Sequence, residues 1–277
     1  MRLFKYFPPD RTDVLRDRKI CFSSPMNLND PFEMRPTVQL FESDEILRMK
    51  ADASMDDRIQ EALSTFPPHV RAQFTPAQLF MMRENVLATL PRSLGVHLPE
   101  IRERLYQGMA AAIGMLCLTE RQDDILMWAH YACAHEGFVI EFDPSSSFFN
   151  QRRSGVDEFR HLRQVVYSKE RPSLVLDNTK DMSPLLTKSD HWAYEREWRM
   201  LVSLGDASNV ITHGSKNFHL FDFPAEAIVS ITLGCRTSDD KSTEIRGILS
   251  GNSHLSRIPV YKSAPDENLF KLNILPA

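Results

Sequence analysis

Residues 192–199 read WAYEREWR and continue into the apolar segment MLV at 200–202. Side chains two residues apart share one face of a strand, so the pattern predicts Glu195, Glu197 and Arg199 in a single row. Apolar flanks predict that this row is packed, and packed acids are costly unless they are paired or functional. Two interpretations stay open: an ion pair between Glu197 and Arg199 at a sheet edge, or a catalytic carboxylate.

Composition is that of an ordinary globular protein. The chain has 277 residues, of which 42% are hydrophobic and 25% charged, enough for one elaborated domain or two small ones. The net charge of -4 predicts no overall basic field for nucleic acid or an anionic membrane. No apolar run is long enough to span a bilayer and the first residues lack a signal-peptide pattern, so we expect a cytoplasmic protein with no membrane partner. The four scattered cysteines are interpreted as buried thiols in a reducing compartment.

The first thirty-five residues predict a strand over 2–7, a short helix over 11–18 and a second strand over 19–24. A segment dense in turn-forming residues follows at 25–31. Four polar residues are predicted on this loop, Ser23, Ser24, Asn29 and Asp30. Loops that a rigid strand positions are common places for function.

The remaining pattern predicts an α+β fold: a mixed, mainly antiparallel sheet core with a helical insertion, in a single domain over 1–277. The insertion spans 43–115, where Pro91 and Pro99 are expected to separate helices and Thr75 to cap another. The later elements are a helix over 125–132, a helix over 239–249, and strands over 138–143, 164–167, 198–203, 218–223, 228–233 and 256–261.

Aromatic residues and histidines are concentrated around the 125–132 helix. Trp128 and Tyr131 lie three apart, with His130 beside them, and such a face can stack on a base or a nicotinamide ring. The alternative is a core-packed aromatic pair with a satisfied histidine. His130 and His135 have neither zinc-protease nor zinc-finger spacing, so no metal site is predicted.

Common nucleotide and nucleophile motifs are absent from the sequence. It contains no G-x-G-x-x-G, no Walker-type G-K-[ST] and no G-x-S-x-G, which argues against Rossmann and P-loop binding and against a hydrolase elbow. Lys5, Arg35, Arg196 and Arg199 could bind a phosphate or be ordinary surface charge.

Motifs from the first residues to about 203 jointly resemble a bacterial family named domain of unknown function 2971. The matching segments are FKY at 4–6, FSSP at 22–25, LNDPFE at 28–33, CLTE at 117–120, LMWAHYA at 126–132, HEGFVIEFD at 135–143 and YEREWR at 194–199. The family name supplies no activity.

The order of several elements is similar to that of the ADP-ribosyltransferase fold, which implies a split sheet. The corresponding order here is Lys5 or Tyr6 on a first strand, a short helix, Ser23 and Ser24, and a later strand with Glu195 and Glu197. Lys5 and Tyr6 stand where such enzymes typically have arginine or histidine.

The resemblance implies an enzyme that uses NAD as its substrate. Glu197 would stabilise an oxocarbenium-like transition state, Glu195 would orient or deprotonate the acceptor, and Lys5 would hold the pyrophosphate. The implied cofactor-binding residues are Lys5, Tyr6, Ser23, Ser24, Asn29, Asp30, Trp128, His130, Tyr131 and Arg199. The acceptor, protein or nucleic acid, is left open, and a role in phage defence or in a toxin system is implied only by this resemblance.

Two other classes of function are kept as alternatives. A non-catalytic module would bind a small nucleotide or a protein partner through the 128–135 face and the 29–30 loop. A metal-dependent nuclease would gather acids around Mg²⁺. The acids considered for the nuclease are Asp30, Glu33, Asp124, Glu141 and Glu197.

Overall fold

A computed structural model describes residues 1–39, 41, 43–176 and 182–277, without the side chains of 91–96. The helices are α1 (Asp13–Asp17), α2 (Asp44–Ser64), α3 (Pro68–Arg71), α4 (Pro76–Ala112), α5 (Ile125–Tyr131) and α6 (Asp239–Ser250). The strands are β1 (Leu3–Phe7), β2 (Lys19–Phe22), β3 (Thr37–Gln39), β4 (Ile113–Thr119), β5 (Phe138–Phe142), β6 (Leu162–Gln164), β7 (Val166–Ser168), β8 (Ser173–Val175), β9 (Thr187–Ser189), β10 (Glu197–Ser203), β11 (Asn209–His213), β12 (Lys216–Asp222), β13 (Ile228–Leu233), β14 (Val260–Pro265) and β15 (Leu272–Pro276).

The main sheet has eight strands in the order β15-β14-β13-β5-β1-β4-β10-β6. Its strand pairs are antiparallel except for β13 with β14, which are parallel. The chain thus combines helices with a mixed, mostly antiparallel sheet, which confirms the predicted α+β class. None of the described helices is long and apolar enough to cross a membrane.

The chain forms two compact units. The first comprises residues 1–34, 108–171 and 185–277, and holds the main sheet, the three-stranded sheet β11-β12-β2 and the β7-β9 pair. The second comprises residues 35–107 and 172–184, and holds α2, α3, most of α4 and the parallel pair β3-β8. That residues 43–115 form a helical insertion within a single domain stays a prediction.

Apolar residues cover the main sheet on two sides. A large core cluster includes Leu3 and Phe7 of β1 together with Val14 of α1 and Ile245 of α6. A smaller cluster surrounds Trp128 and includes Phe4, Tyr6, Met127, Ala132, Val139 and Leu272. The alternation in β1 therefore sends its apolar side chains into both clusters and explains why this strand lies near the centre of the sheet.

Several helix boundaries agree with the sequence signals. Asp124 caps α5 by accepting from the amides of Leu126 and Met127, and Ser238 caps α6. Thr75 and Gln78 form a reciprocal capping box at the start of α4, since each side chain accepts from the other residue's amide. The cap predicted at Thr75 is therefore confirmed.

Five predictions of secondary structure are wrong. Residues 190–195 form a 3₁₀ helix, Arg196 is left-handed (φ 44°, ψ 55°), and the strand begins only at Glu197. The helix α4 continues through Pro91 and Pro99, although an interior proline removes one helix hydrogen bond and costs about 3 kcal/mol. The helical insertion is predicted to reach residue 115, but its last helix ends at Ala112 and β4 begins at Ile113. The strand predicted over 256–261 starts only at Val260, and the strand predicted over 164–167 is divided between β6 and β7.

Candidate functional site

A cavity of about 380 Å³ opens where β1 and β4 separate. These two strands share one registered pair, Phe4 opposite Thr119, whereas β1 pairs with β5 along its whole length. Lys5 bridges the gap, since its Nζ donates to the Cys117 carbonyl over 3.2 Å. An isolated bridge between Ser23 and Met115 bounds the same space.

The wall of the cavity holds a buried lysine that contacts two glutamates. Lys188 Nζ lies 2.6 Å from Glu195 Oε2, 2.9 Å from Glu197 Oε2 and 3.8 Å from Glu33 Oε2. All four residues line the cavity, although only 5% of the lysine side chain is exposed. An ammonium group this deep depends on its carboxylate partners.

A second buried cation lies behind the carboxylates. Arg199 Nε donates to Glu197 Oε1 at 2.7 Å, its Nη1 donates to the Leu185 carbonyl at 3.1 Å, and its Nη2 contacts Glu33. The guanidinium has no exposed surface. Three carboxylates therefore face two cations, which leaves one net negative charge if all five groups are ionised.

Burial and mutual contact shift the pKa values of these groups. Burial, reinforced by the charge of Glu195 and opposed by Lys188, raises the pKa of Glu197. Burial alone would lower the pKa of Lys188, but the two neighbouring carboxylates raise it well above its ordinary value. The ammonium is therefore held in its charged form, and the proton that such a cluster can exchange belongs to a glutamate.

The two glutamates also make hydrogen bonds with neutral groups. Tyr131 donates its hydroxyl to Glu195 Oε1 at 2.6 Å, and Asn29 Nδ2 reaches the Tyr131 oxygen over 3.4 Å. The Tyr167 hydroxyl accepts from the backbone amide of Glu197 at 2.8 Å. Burial and the nearby Glu195 raise the pKa of Tyr131, so this phenol remains a hydrogen-bond donor.

Eight of the sequence-predicted site residues line this cavity: Lys5, Tyr6, Ser23, Asn29, His130, Tyr131, Glu195 and Glu197. They come from β1, the loop after β2, α5 and the segment that opens β10. The alternating pattern of 192–199 did not predict the geometry of the glutamates, because Glu195 belongs to the 3₁₀ turn and only Glu197 to the strand.

Four predicted binding residues do not line the cavity. Trp128 has no exposed surface, stacks on His135 and donates to the Gln122 carbonyl, so it offers no face to a ligand. Arg199 is enclosed behind Glu197. The remaining two make structural contacts: Ser24 caps the 25–27 turn, and Asp30 accepts from the Trp192 indole at 2.9 Å.

Sequence reasoning did not assign Lys188 or Tyr167 to the site. Lys188 stands between Thr187 and Ser189 on a three-residue strand, where nothing local distinguishes it from a surface lysine. Glu33 had been considered only as a nuclease acid. The prediction of four buried thiols is wrong: Cys133 is exposed, and Cys21, Cys117 and Cys235 are only partly buried.

The acids considered for a nuclease do not gather in one place. Asp124 caps α5, and Glu141 pairs with Arg2 over 2.6 Å on the other side of β1. Within the described part of the chain, no group of three His, Cys, Asp or Glu side chains is arranged to hold a metal ion. The cation Arg35, considered for phosphate binding, belongs to the second unit, where it lies over the Tyr106 ring.

Comparison with known proteins finds a family match for one part of the chain. No curated protein and no solved structure matches this sequence. Residues 127–200, which contribute Tyr131, Lys188, Glu195 and Glu197 to the cavity, match the family described as "Protein of unknown function (DUF2971)".

Proposed function

We propose that the cavity binds NAD and that the protein cleaves the bond between nicotinamide and ribose, transferring ADP-ribose to an acceptor. The observation that carries this proposal is the convergence of Lys5, Ser23 and Glu197 on one cavity. They come from a first strand, the end of a second strand and a later strand, the order that the ADP-ribosyltransferase resemblance requires. The four cysteines are free thiols, which fits a reducing, cytoplasmic setting.

Glu197 is the residue proposed to act on the ribose. Nicotinamide leaves with the bonding electrons, and positive charge develops on the ribose ring. A carboxylate that hydrogen-bonds the adjacent ribose hydroxyl stabilises that charge more strongly in the transition state than in the ground state. The contacts of Glu197 with Lys188 and Arg199 hold its carboxylate in one orientation.

Glu195 is proposed to receive the proton of the attacking acceptor. The acceptor oxygen or nitrogen forms the new bond to the ribose carbon, and its proton passes to a carboxylate oxygen. Tyr131 and Lys188 each donate to one oxygen of Glu195, which fixes the group at the wall of the cavity. Lys5 would contribute its charge to the pyrophosphate, and Tyr131 is the remaining aromatic candidate for contact with a ring.

Glu197→Gln is the test. This substitution removes one of three carboxylates facing two cations, so the cluster becomes neutral and the fold should be kept. We expect the rate of nicotinamide release from NAD to fall by about a hundredfold or more. Chromatography of the reaction mixture measures this rate. Calorimetric titration with NAD separates a loss of binding from a loss of turnover.

Glu141→Gln is the matched control. Glu141 is also a buried, arginine-paired glutamate on the main sheet, but it does not line the cavity. Nicotinamide release should therefore be unchanged in this variant. Absence of NAD binding by the wild-type protein, or full activity of folded Glu197→Gln, would refute the proposal.

A non-catalytic nucleotide-binding module is the second candidate. Every carboxylate oxygen of Glu195 and Glu197 already receives a hydrogen bond from Tyr131, Lys188 or Arg199. Such saturation is also typical of a structural cluster. This function predicts saturable NAD binding, no nicotinamide release, and an unchanged dissociation constant in Glu197→Gln.

A further inference from the structure

A second concave surface lies beside the cavity, in the same compact unit. This groove, of about 720 Å³, is formed by the start of β1, residues 120–123, Arg196 and residues 271–274. The Phe4 side chain lines both the groove and the cavity. Glu195 and Glu197 line the cavity, whereas Arg196 between them lines the groove.

The groove is basic although the chain as a whole is acidic. Four cationic side chains line it, Arg2, Arg121, Arg196 and Lys271, against two acidic ones, Glu120 and Asp123. The lining therefore carries two net positive charges in a protein whose net charge is -4. A local excess of this kind attracts anions.

Two of these arginines have unused donors. The side chain of Arg196 is exposed and has no hydrogen-bond or ion-pair partner among the described residues. Arg121 Nε is buried without a hydrogen-bond partner in the same part of the chain, and its nearest acid, Asp123, lies 3.9 Å away. A buried guanidinium donor without a partner calls for an acceptor that a ligand can supply.

The backbone at Arg196 gives an independent indication. Its left-handed conformation is one that glycine or asparagine adopts far more readily than arginine. The conformation is fixed by the Arg196 amide, which donates to Ala193, and by the Arg196 carbonyl, which accepts from Glu120. An exposed arginine at a position whose backbone favours glycine is compatible with a use for its side chain, and the groove lining supplies that use.

We infer that the groove binds a phosphate group of a ligand other than the NAD held in the cavity, through Arg196 and Arg121. Planar guanidinium groups match the oxygens of a phosphate in paired hydrogen bonds. Lys271 adds a point charge, because its Nζ is only loosely paired with Asp266 at 3.5 Å and its side chain is half exposed. Arg2 is engaged with Glu141 through two hydrogen bonds and contributes long-range charge.

The phosphate can belong to a free phosphorylated molecule or to a nucleic-acid strand. Calorimetric titration at low salt with inorganic pyrophosphate and with a short thymidine oligonucleotide distinguishes these sources. Binding of pyrophosphate alone identifies a small phosphorylated ligand, and tighter binding of the oligonucleotide identifies a strand. Saturable binding of neither probe to the wild-type protein overturns the inference.

Arg196→Gly and Arg121→Gln are the test variants, with Arg246→Gln as control. Glycine suits the left-handed conformation, so Arg196→Gly should fold at least as well as the wild type, as urea unfolding would show. We expect about a tenfold loss of probe affinity in each test variant. Arg246 is exposed on α6, outside the groove, and its substitution should leave affinity unchanged. Affinity unchanged in both test variants overturns the inference.

Lys5→Met separates this site from the cavity. Because Lys5 lines only the cavity, this variant should retain probe binding to the groove. Binding lost in Lys5→Met but kept in Arg196→Gly would place the anion in the cavity and overturn the inference. Neither probe carries nicotinamide, so the result does not depend on whether NAD is a substrate.

Discussion

Replacement of Lys188 by methionine tests whether this lysine is needed to compensate the buried carboxylates of Glu33, Glu195 and Glu197. Methionine is similar in length but uncharged, so Lys188→Met leaves Glu33, Glu195 and Glu197 with only Arg199. The net charge of the cluster falls from -1 to -2 in a site with almost no solvent. Removing one member of a buried ion pair costs about 3–5 kcal/mol of unfolding free energy. We expect a loss of that size.

Urea unfolding with linear extrapolation gives the unfolding free energy of Lys188→Met. The control is Lys241→Met, measured in the same way. Lys241 also pairs with a glutamate, Glu244 at 2.8 Å, but both side chains are about one-third exposed. An exposed pair of this kind contributes about 0–1 kcal/mol. The double variant Lys188→Met/Glu195→Gln restores a cluster charge of -1, so it should be more stable than Lys188→Met alone.

The loss in Lys188→Met should also depend on pH. Burial already raises the pKa of Glu197, and removal of the opposing Lys188 raises it further. A carboxyl group with a raised pKa in the folded state contributes stability below its ordinary value of 4.5, and this contribution disappears as pH rises through the raised pKa. The destabilisation caused by Lys188→Met should therefore be smaller at about pH 5 than at about pH 8. A loss no larger than that of Lys241→Met, or a loss independent of pH, would refute the reasoning.

Three further substitutions test the fold around the site. Trp128→Ala removes a side chain with no exposed surface and should lower the unfolding free energy by about 3–5 kcal/mol, measured in urea. Gly137→Ala would place a Cβ 2.0 Å from the Phe7 carbonyl oxygen, so we expect a lower melting temperature in calorimetry than for Gly108→Ala, where nothing lies within 4 Å. Ser238→Ala removes the cap of α6 and should lower the unfolding free energy by about 1 kcal/mol, measured in urea. An unchanged unfolding free energy would show that this cap does not stabilise the protein.

Local signals in the sequence were sufficient for much of the fold. The cap at Thr75 predicted the start of α4 correctly, because a capping side chain contacts amides only two or three residues away. The apolar run at 138–142 predicted β5, which is buried along its whole length. Such features depend on neighbours in the chain, and a single sequence displays those neighbours directly.

The site depended on contacts that no local pattern contains. Lys188 is a site residue only because it pairs with Glu33, more than a hundred and fifty residues earlier in the chain, and with the two glutamates that follow it. Trp128 and Tyr131 were predicted to share one face, but the indole turns into the core while the phenol reaches the cavity. Helical spacing gives the relative direction of two side chains and leaves open which of them meets solvent.

The left-handed residue Arg196 links the cavity to the groove. In a continuous strand, Glu195 and Glu197 would stand in one row about 7 Å apart along the chain. The 3₁₀ turn and the left-handed Arg196 instead bring both carboxylates within hydrogen-bond distance of the Lys188 ammonium. The Arg196 side chain itself lines the groove. Arg196→Gly should therefore keep the carboxylate geometry of the cavity while it removes a guanidinium from the groove, because glycine adopts the same backbone conformation.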